Sequence, residues 1–436
     1  MNFDDAVRYL YSLGHETLAL KLGLKTTEVL LAALGDPQKS YPAVQIAGTN
    51  GKGSTAVVLD SICRAARINT GVFTSPHLVS ITERIRVNGA FISRDLFAEL
   101  ATRVKEQVDH LLSSNALTAA PTFFEQVTAI ALLAFKHANV DLAILETGLG
   151  GRLDSTTVAQ AETVGITPIA VDHQEYLGET LEEIAAEKAA IIRPSVTAII
   201  APQTKAPLNV ITERCASVGV TPRFSTDAIE DENVRSDGRI QATLKTSRDS
   251  YPQIVFGLRG RHQITNTGLA IELAESLREK NLQIPKSAII DGVQQAHHPG
   301  RLELIDGRPQ VLLDGAHNPA GAEALRAYLD EFTNQRLTML FAAMRDKNLS
   351  DMAATLFPRA ELLVLTKVDN PRSASLEDLE EVANQVSGVR QIRLVPDALS
   401  AIQYAITETP SEGLICVTGS LYLIGEIRNL LVNRVC

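Results

Sequence analysis

A seven-residue stretch, Gly48-Thr49-Asn50-Gly51-Lys52-Gly53-Ser54, lies between a short apolar run at 44–47 and a helical pattern at 54–66. Few features restrict a fold as strongly. Strand, glycine turn and helix in this order begin a strand–helix–strand unit, whose next strand returns parallel to the first. Glycines let the backbone approach a ligand closely. The helix start adds unpaired amides and the positive end of a dipole, and Lys52 adds a point charge. Together these suit phosphate. The stretch departs from G-x-x-x-x-G-K-[ST] in two places: residue 46 is Ile, and Gly53 separates Lys52 from the Ser54 hydroxyl. The plainer alternative is a glycine-rich turn with a solvent lysine.

Further along, short apolar runs alternate with longer helical patterns, the signature of an α/β fold with a mostly parallel sheet. Strands are expected at 71–74, 142–145, 164–169 and 197–200, and helices at 93–112, 122–137, 180–192, 208–218 and 264–277. Thr180 with Glu183 forms a capping-box pattern. Residues 221–258 are polar and turn-rich, with Asp237-Gly238 and an alternating run at 240–244, which predicts a small antiparallel sheet. His297-His298-Pro299-Gly300-Arg301 suits a linker. The alternation then restarts, with strands at 311–313, 338–341, 362–365 and 414–418 and helices at 320–332, 376–386, 398–406 and 421–431. Two domains are expected, residues 1–297 and 298–436.

The chain has 436 residues, 45 % hydrophobic and 21 % charged, enough for a large core without disulfides. A formal net charge of −10 argues against a general nucleic-acid binder, although a few basic residues can still build an anion pocket. Cys63, Cys215, Cys416 and Cys436 are scattered, as in a reducing compartment. The start carries two Asp and one Arg and no apolar signal region, and no apolar run is long enough to span a membrane. A cytoplasmic protein is expected.

Other residues carry possible chemistry. An apolar strand at 142–145 ends in Glu146, where phosphate-loop proteins place a magnesium ligand. Thr147-Gly148-Leu149-Gly150-Gly151-Arg152-Leu153-Asp154 follows, a glycine-rich loop with one Arg and one Asp. Asp172-His173-Gln174 offers a possible metal ligand. Lys188 sits in a helical pattern. Each has a plainer reading: a solvated carboxylate, a packed or surface histidine, a solvated helix lysine.

Taken in order, these motifs resemble the folate branch of the Mur ligase superfamily, folylpolyglutamate synthase. The resemblance rests on residues 48–54, Ser75-Pro76-His77-Leu78, Glu83-Arg84-Ile85 with Val87-Asn88-Gly89, Phe124-Glu125, residues 146–154, Asp172-His173-Gln174 and Glu187-Lys188. It continues with Gly260, His262-Gln263 and Asn266, Pro299-Gly300-Arg301, Leu313 through Pro319, and Gly419-Ser420-Leu421-Tyr422. Thr157 stands where the family often has Asn, and His298 where a Trp often precedes Pro-Gly-Arg. Leu22-Gly23-Leu24 only faintly suggests the family's N-terminal pterin contact, with Lys21 and Lys25 in place of acidic residues.

The resemblance implies a P-loop ATP-binding domain of Mur ligase central type and a Rossmann-like C-terminal domain. It implies that Gly48, Thr49, Asn50, Gly51, Lys52, Gly53 and Ser54 hold the ATP phosphates, with Asn266, Arg301, Asp314 and His317 also at the nucleotide. Ser75, Glu146, His173 and Lys188, the last as a carbamate, would serve two magnesium ions. Lys52, Lys188, His173 and Glu146 would be catalytic. Phe123, Phe124, Glu125, Arg152 and Leu153 would lie near the pterin. The implied reaction is ATP-dependent addition of L-glutamate to folates, with dihydrofolate synthase activity as well, by a monomer that binds neither nucleic acid nor membrane. One rival is a peptidoglycan-precursor Mur ligase, which needs a sizeable N-terminal domain; 47 residues precede Gly48. The other is a non-catalytic P-loop regulator.

Overall fold

The computed structural model describes residues 1–14 and 23–432. Lys21, Leu22 and Cys436 lie outside the described residues. The chain divides into two compact units. The first holds residues 1–231, 242–255 and 265–296, and the second holds 232–241, 256–264 and 297–436.

The first unit is built on eight strands: β1 (Ala43–Ala47), β2 (Thr70–Phe73), β3 (Ile85–Val87), β4 (Ala90–Phe91), β5 (Leu142–Glu146), β6 (Thr163–Ile166), β7 (Thr197–Ile200) and β8 (Arg223–Phe224). Their order across the sheet is β4-β3-β2-β5-β1-β6-β7-β8, parallel from β2 to β8 and antiparallel at β3 and β4. β1, β2, β5 and β6 are buried along their whole length. That is why they read as apolar runs and not as alternating ones. β1 lies between β5 and β6, with Ile46 opposite Glu146 and Ala47 opposite Ile166. Connections leave β1 and its neighbours at one edge, where open α/β sheets bind ligands.

The helices behave as their sequences suggest. Lys52–Ala65 begins two residues earlier than the pattern at 54–66, because Gly51 at φ +89° serves as its N-cap. Phe123–His137 and Leu181–Ala189 start on complete capping boxes, Thr122 with Glu125 and Thr180 with Glu183. A helix at Lys286–Gln295 packs on Lys52–Ala65 so closely that a Cβ on Gly292 would come within 2.3 Å of the Ile62 Cα. Phe73, Phe97 and Phe135 anchor one apolar cluster; Ile166, Ile184, Ile192 and Ile211 anchor another.

β9 (Ile229–Val234), β10 (Ile240–Lys245) and β11 (Ser250–Val255) form the small sheet expected from the polar stretch. Its allocation corrects the expected boundary. Residues 232–241 and 256–264 belong to the second unit, not to a first domain running unbroken to 297. The reason is local pairing: Arg261 bonds both Glu232 and Glu331, and Arg259 donates to the Asp237 carbonyl.

The second unit has six strands: β12 (Glu303–Ile305), β13 (Gln310–Leu313), β14 (Leu337–Phe341), β15 (Leu362–Leu365), β16 (Ile392–Leu394) and β17 (Leu414–Thr418). Their order is β12-β13-β17-β14-β15-β16, parallel except for β12. Met339, Phe341, Phe357 and Cys416 sit in its core. The whole is α/β. Among the described residues no helix is long and apolar enough to cross a membrane.

Candidate active site

Residues 48–54 turn from β1 into the helix Lys52–Ala65. The turn is fastened to the chain after β6. The Thr49 and Asn50 amides both donate to the Pro168 carbonyl, at 3.1 and 3.3 Å. Thr49 Oγ1 donates to the Ala170 carbonyl (2.9 Å) and accepts from the Ala170 amide (3.1 Å). Gly48 needs its missing side chain: a Cβ would lie 1.9 Å from Thr167 Oγ1. Gly51 needs it too, since a Cβ would lie 2.0 Å from Asn266 Oδ1. Lys52 Nζ folds back over the loop and donates to the Gly48 and Thr49 carbonyls, at 3.1 and 3.0 Å. Ser54 is buried in the first turn of the helix.

Sheet order brings two expected metal ligands together. Glu146 ends β5 and is buried, and Ser75 follows the neighbouring β2. The Ser75 amide donates to Glu146 Oε2 at 3.1 Å. His173 follows β6 and holds a left-handed backbone, φ +52°, which is strained for a non-glycine residue. Its amide donates to Asp172 Oδ1 at 2.9 Å.

Lys188 is buried in the helix Leu181–Ala189. Burial, and then the charge of Lys52, pull its amine down to about 7, against Asp172, Asp154 and Glu187. Lysine at that value is half neutral near physiological pH, and a neutral amine is a nucleophile. Among the described residues no group of three or more His, Cys, Asp or Glu could hold a metal alone.

The glycine-rich loop after Glu146 is a closed ring. Asp154 Oδ2 accepts from the Gly148 and Leu149 amides, at 2.8 and 3.0 Å. Burial raises the Asp154 carboxyl, while its bonds to Thr156, Leu149 and Gly148 oppose the rise. One side of the ring lies on Phe124, where a Cβ on Gly148 would meet Cζ at 2.4 Å. The other lies on the lysine helix, where a Cβ on Gly151 would meet the Glu187 carbonyl at 2.9 Å. Arg152 projects from this edge. Glu125 does structural work: its Oε2 accepts from the Thr122 amide (2.7 Å) and its Oε1 from Thr27 Oγ1 (2.9 Å).

Around Phe123, expected near the pterin, the structure gathers Tyr11, His77 and Arg84, to which no site role was assigned from sequence. Tyr11 stacks on that ring at 5.7 Å, and the Arg84 guanidinium lies 5.4 Å from its centre. Arg84 Nε donates to His77 Nδ1 at 2.8 Å, so the His77 proton sits on Nε2, 3.2 Å from the Tyr11 hydroxyl. Burial, then Arg84, push His77 down to about 3 and keep it neutral. Sequence alone could not have joined Tyr11 to His77 across 66 positions. Thr49 and Asp154 were likewise missed as loop fasteners.

In the second unit, Asp314 is buried where β13 ends. Its oxygens accept from the Leu302 amide (2.9 Å) and the Ala316 amide (3.0 Å). The Arg301 guanidinium rests on Gly315, where a Cβ would lie 1.7 Å from Nη1. His317 Nδ1 bonds the Gly315 carbonyl at 2.7 Å, which puts its proton there. Arg301, Asp314 and His317 thus form one connected turn.

The Mur ligase middle domain family matches residues 46–274, and the Mur ligase glutamate ligase domain family matches 300–421. The "Dihydrofolate synthase/folylpolyglutamate synthase" of Bacillus subtilis is 37% identical over 437 residues, 98% of this chain and 99% of that one. A Halobacterium salinarum protein, "Probable bifunctional folylpolyglutamate synthase/dihydropteroate synthase", is 36% identical over 430 residues. That match takes in 98% of this chain but 51% of the relative, so the chain spans about half its length. Among solved structures, a Mycobacterium tuberculosis folylpolyglutamate synthase complexed with ADP superimposes with TM-score 0.92 at 30% identity, covering 98% of both chains. Escherichia coli FolC in complex with DHPP and ADP superimposes with TM-score 0.87 at 28% identity, covering 100% of this chain and 99% of that one.

Proposed function

Because the chain belongs to the folylpolyglutamate synthase/dihydrofolate synthase branch of the Mur ligases, we propose that it joins L-glutamate to dihydropteroate and to reduced folates at the expense of ATP. The observation that carries this is the convergence at one sheet edge of the fastened phosphate loop, Glu146 with Ser75, and Lys188 within electrostatic reach of Lys52. Relatives that hold ADP, and DHPP with ADP, support the same reading.

The acceptor's carboxylate oxygen attacks the γ-phosphorus of ATP; the acyl–phosphate bond forms as ADP departs. The glutamate amine then attacks the acyl carbon, the amide bond forms, and inorganic phosphate and a proton leave. The chain contributes position and charge. The first-turn amides of Lys52–Ala65 have no acceptor within the helix and face the phosphates with the dipole's positive end. The Lys52 ammonium moves from loop carbonyls to phosphoryl oxygens and offsets the charge that grows there. Arg301 and His317 are proposed as nucleotide contacts, as the resemblance implies. Asp314 holds their turn.

The side chains fit a divalent cation. Magnesium takes one or two carboxylates and completes its shell with phosphate and water. Glu146 and the Ser75 hydroxyl would hold it, with His173 and Lys188 as carbamate at the second position. Bound magnesium supplies a Lewis acid at the phosphoryl oxygens. Carbamate formation joins the neutral Lys188 amine to carbon dioxide with loss of a proton, and the depressed amine favours it. ATP use and the buried free thiols Cys63, Cys215 and Cys416 support a cytoplasmic enzyme.

The test is turnover of purified protein with ATP, magnesium and L-glutamate, offered dihydropteroate or tetrahydrofolate. Glutamate-dependent ADP release with both acceptors is expected. Lys52→Ala should abolish it while the far-ultraviolet spectrum stays unchanged. ATP hydrolysis that ignores glutamate would favour a nucleotide-binding regulator.

A further inference from the structure

The ring closed by Asp154 has an aromatic side and a cationic rim, and the rim is built with care. Arg152 Nε donates to Glu187 Oε1 at 2.9 Å, and the Arg152 amide donates to the Glu187 carbonyl at 2.9 Å. Gly150 and Gly151 press against the same helix residue: a Cβ on Gly150 would touch the Glu187 side chain at 3.8 Å. The arginine is therefore fixed at its backbone and at Nε. Its two terminal amino groups donate to no protein acceptor among the described residues, and its side chain is 56% exposed against 25% for Glu187. A guanidinium held by Nε presents the Nη1–Nη2 edge outward, a planar fork that matches a carboxylate with two parallel bonds.

We propose that Arg152, oriented by Glu187, recognises the non-reacting α-carboxylate of a glutamyl-bearing acceptor and so favours a folate over dihydropteroate. The inference rests on the folate reading above and deepens it. Dihydropteroate carries one carboxylate, the one that reacts. A folate carries two on its terminal glutamate, the γ-carboxylate that reacts and the α-carboxylate beside it. Phe124 beneath Gly148 offers the flat apolar face that the shared ring portion requires. The exposed fork suits an acceptor with a second carboxylate, and a neutral pterin ring gains little from an end-on guanidinium. Arg152 is then a specificity-determining residue and Glu187 a positioning residue. Glu187 bonds Nε, so it leaves the Nη edge to an incoming carboxylate.

Pteroate and pteroylglutamate serve as probes, differing only in the glutamyl group, with affinities read by calorimetry and turnover read beside them. Wild-type protein should bind pteroylglutamate more tightly than pteroate. Arg152→Leu should shrink that preference by roughly 10- to 100-fold, the size of one or two charge-assisted bonds. Arg152→Lys should retain part of it, having the charge without the fork. Glu187→Gln should raise KM for tetrahydrofolate several-fold more than KM for dihydropteroate, a split between acceptors that a merely structural loss would not produce. Equal losses for both probes in Arg152→Leu, or no loss for either, overturn the inference. Failure of the wild type to ligate either acceptor overturns the proposed reaction instead, because the binding preference is read without turnover.

Discussion

Gly51→Ala tests whether the loop's geometry is as tightly determined as its contacts indicate. Gly51 sits at φ +89°, where an L side chain costs about 1 to 2 kcal/mol. The new Cβ would also lie 2.0 Å from Asn266 Oδ1 and 2.8 Å from its Cγ. The amide must swing away, which costs about 1 kcal/mol in rotamer strain and lost bonding. The sum is about 2 to 3 kcal/mol, or a fall of roughly 5 to 10 °C in Tm for a domain of this size. Thermal and urea melts read the stability, and the KM for ATP reads the loop. Adding Asn266→Ala removes the collision but leaves the backbone strain, so the double variant should recover about 1 kcal/mol relative to the sum of the single ones. Strict additivity, or an unchanged Tm in Gly51→Ala, would refute the claim that Asn266 abuts the loop.

Three other outcomes are expected. Glu146→Gln keeps an acceptor for the Ser75 amide but loses the anion; kcat should fall on the order of 100-fold and be only partly restored by a magnesium titration. An unchanged magnesium dependence makes Glu146 a bystander. Lys188→Ala should be inactive and partly rescued by acetate, and the carbamate resonance seen with carbon-13 bicarbonate should vanish; full activity without acetate ends the carbamate proposal. Glu272 is buried, and burial, then Glu275, raise its carboxyl, opposed by Arg248. A raised folded value means that folding binds the proton more tightly, so this contribution is full below the ordinary glutamate range and lost as pH rises through the folded value. Glu272→Gln should therefore gain stability over wild type in urea melts at pH 8, with the gain shrinking as pH falls toward the ordinary glutamate range; a pH-independent difference counts against the shift.

What could be read from the sequence was what local chemistry writes. The phosphate loop, the strand ending in Glu146, and the capping boxes at Thr122 and Thr180 each depend on residues a few positions apart. The α/β alternation followed from fully apolar strands that the sheet does bury on both faces. Strand order is another matter. That β5 lies beside both β1 and β2, which brings Glu146 to Ser75, is decided by packing across 71 positions. The same holds for Asn266 against Gly51 and for Tyr11 beside His77. The second unit's claim on residues 232–241 and 256–264 was hidden because it depends on ion pairs such as Arg261 with Glu331, which no periodicity announces. The helix Lys25–Ala33 has a weak apolar stripe and no side-chain cap, whereas Phe3–Ser12 is clearly amphipathic, capped by Asn2 with Ala6 and Leu10 buried, and was legible in the sequence.

The bonds between the phosphate loop and residues 168–170 bear on rates as much as on shape. Four hydrogen bonds hold Thr49 and Asn50 to the chain after β6. A nucleotide therefore meets a surface already in its final form, and little conformational entropy is lost on docking. Association should be governed by encounter and not by loop ordering. The amide protons of Thr49 and Asn50 should exchange slowly with solvent even before any nucleotide arrives.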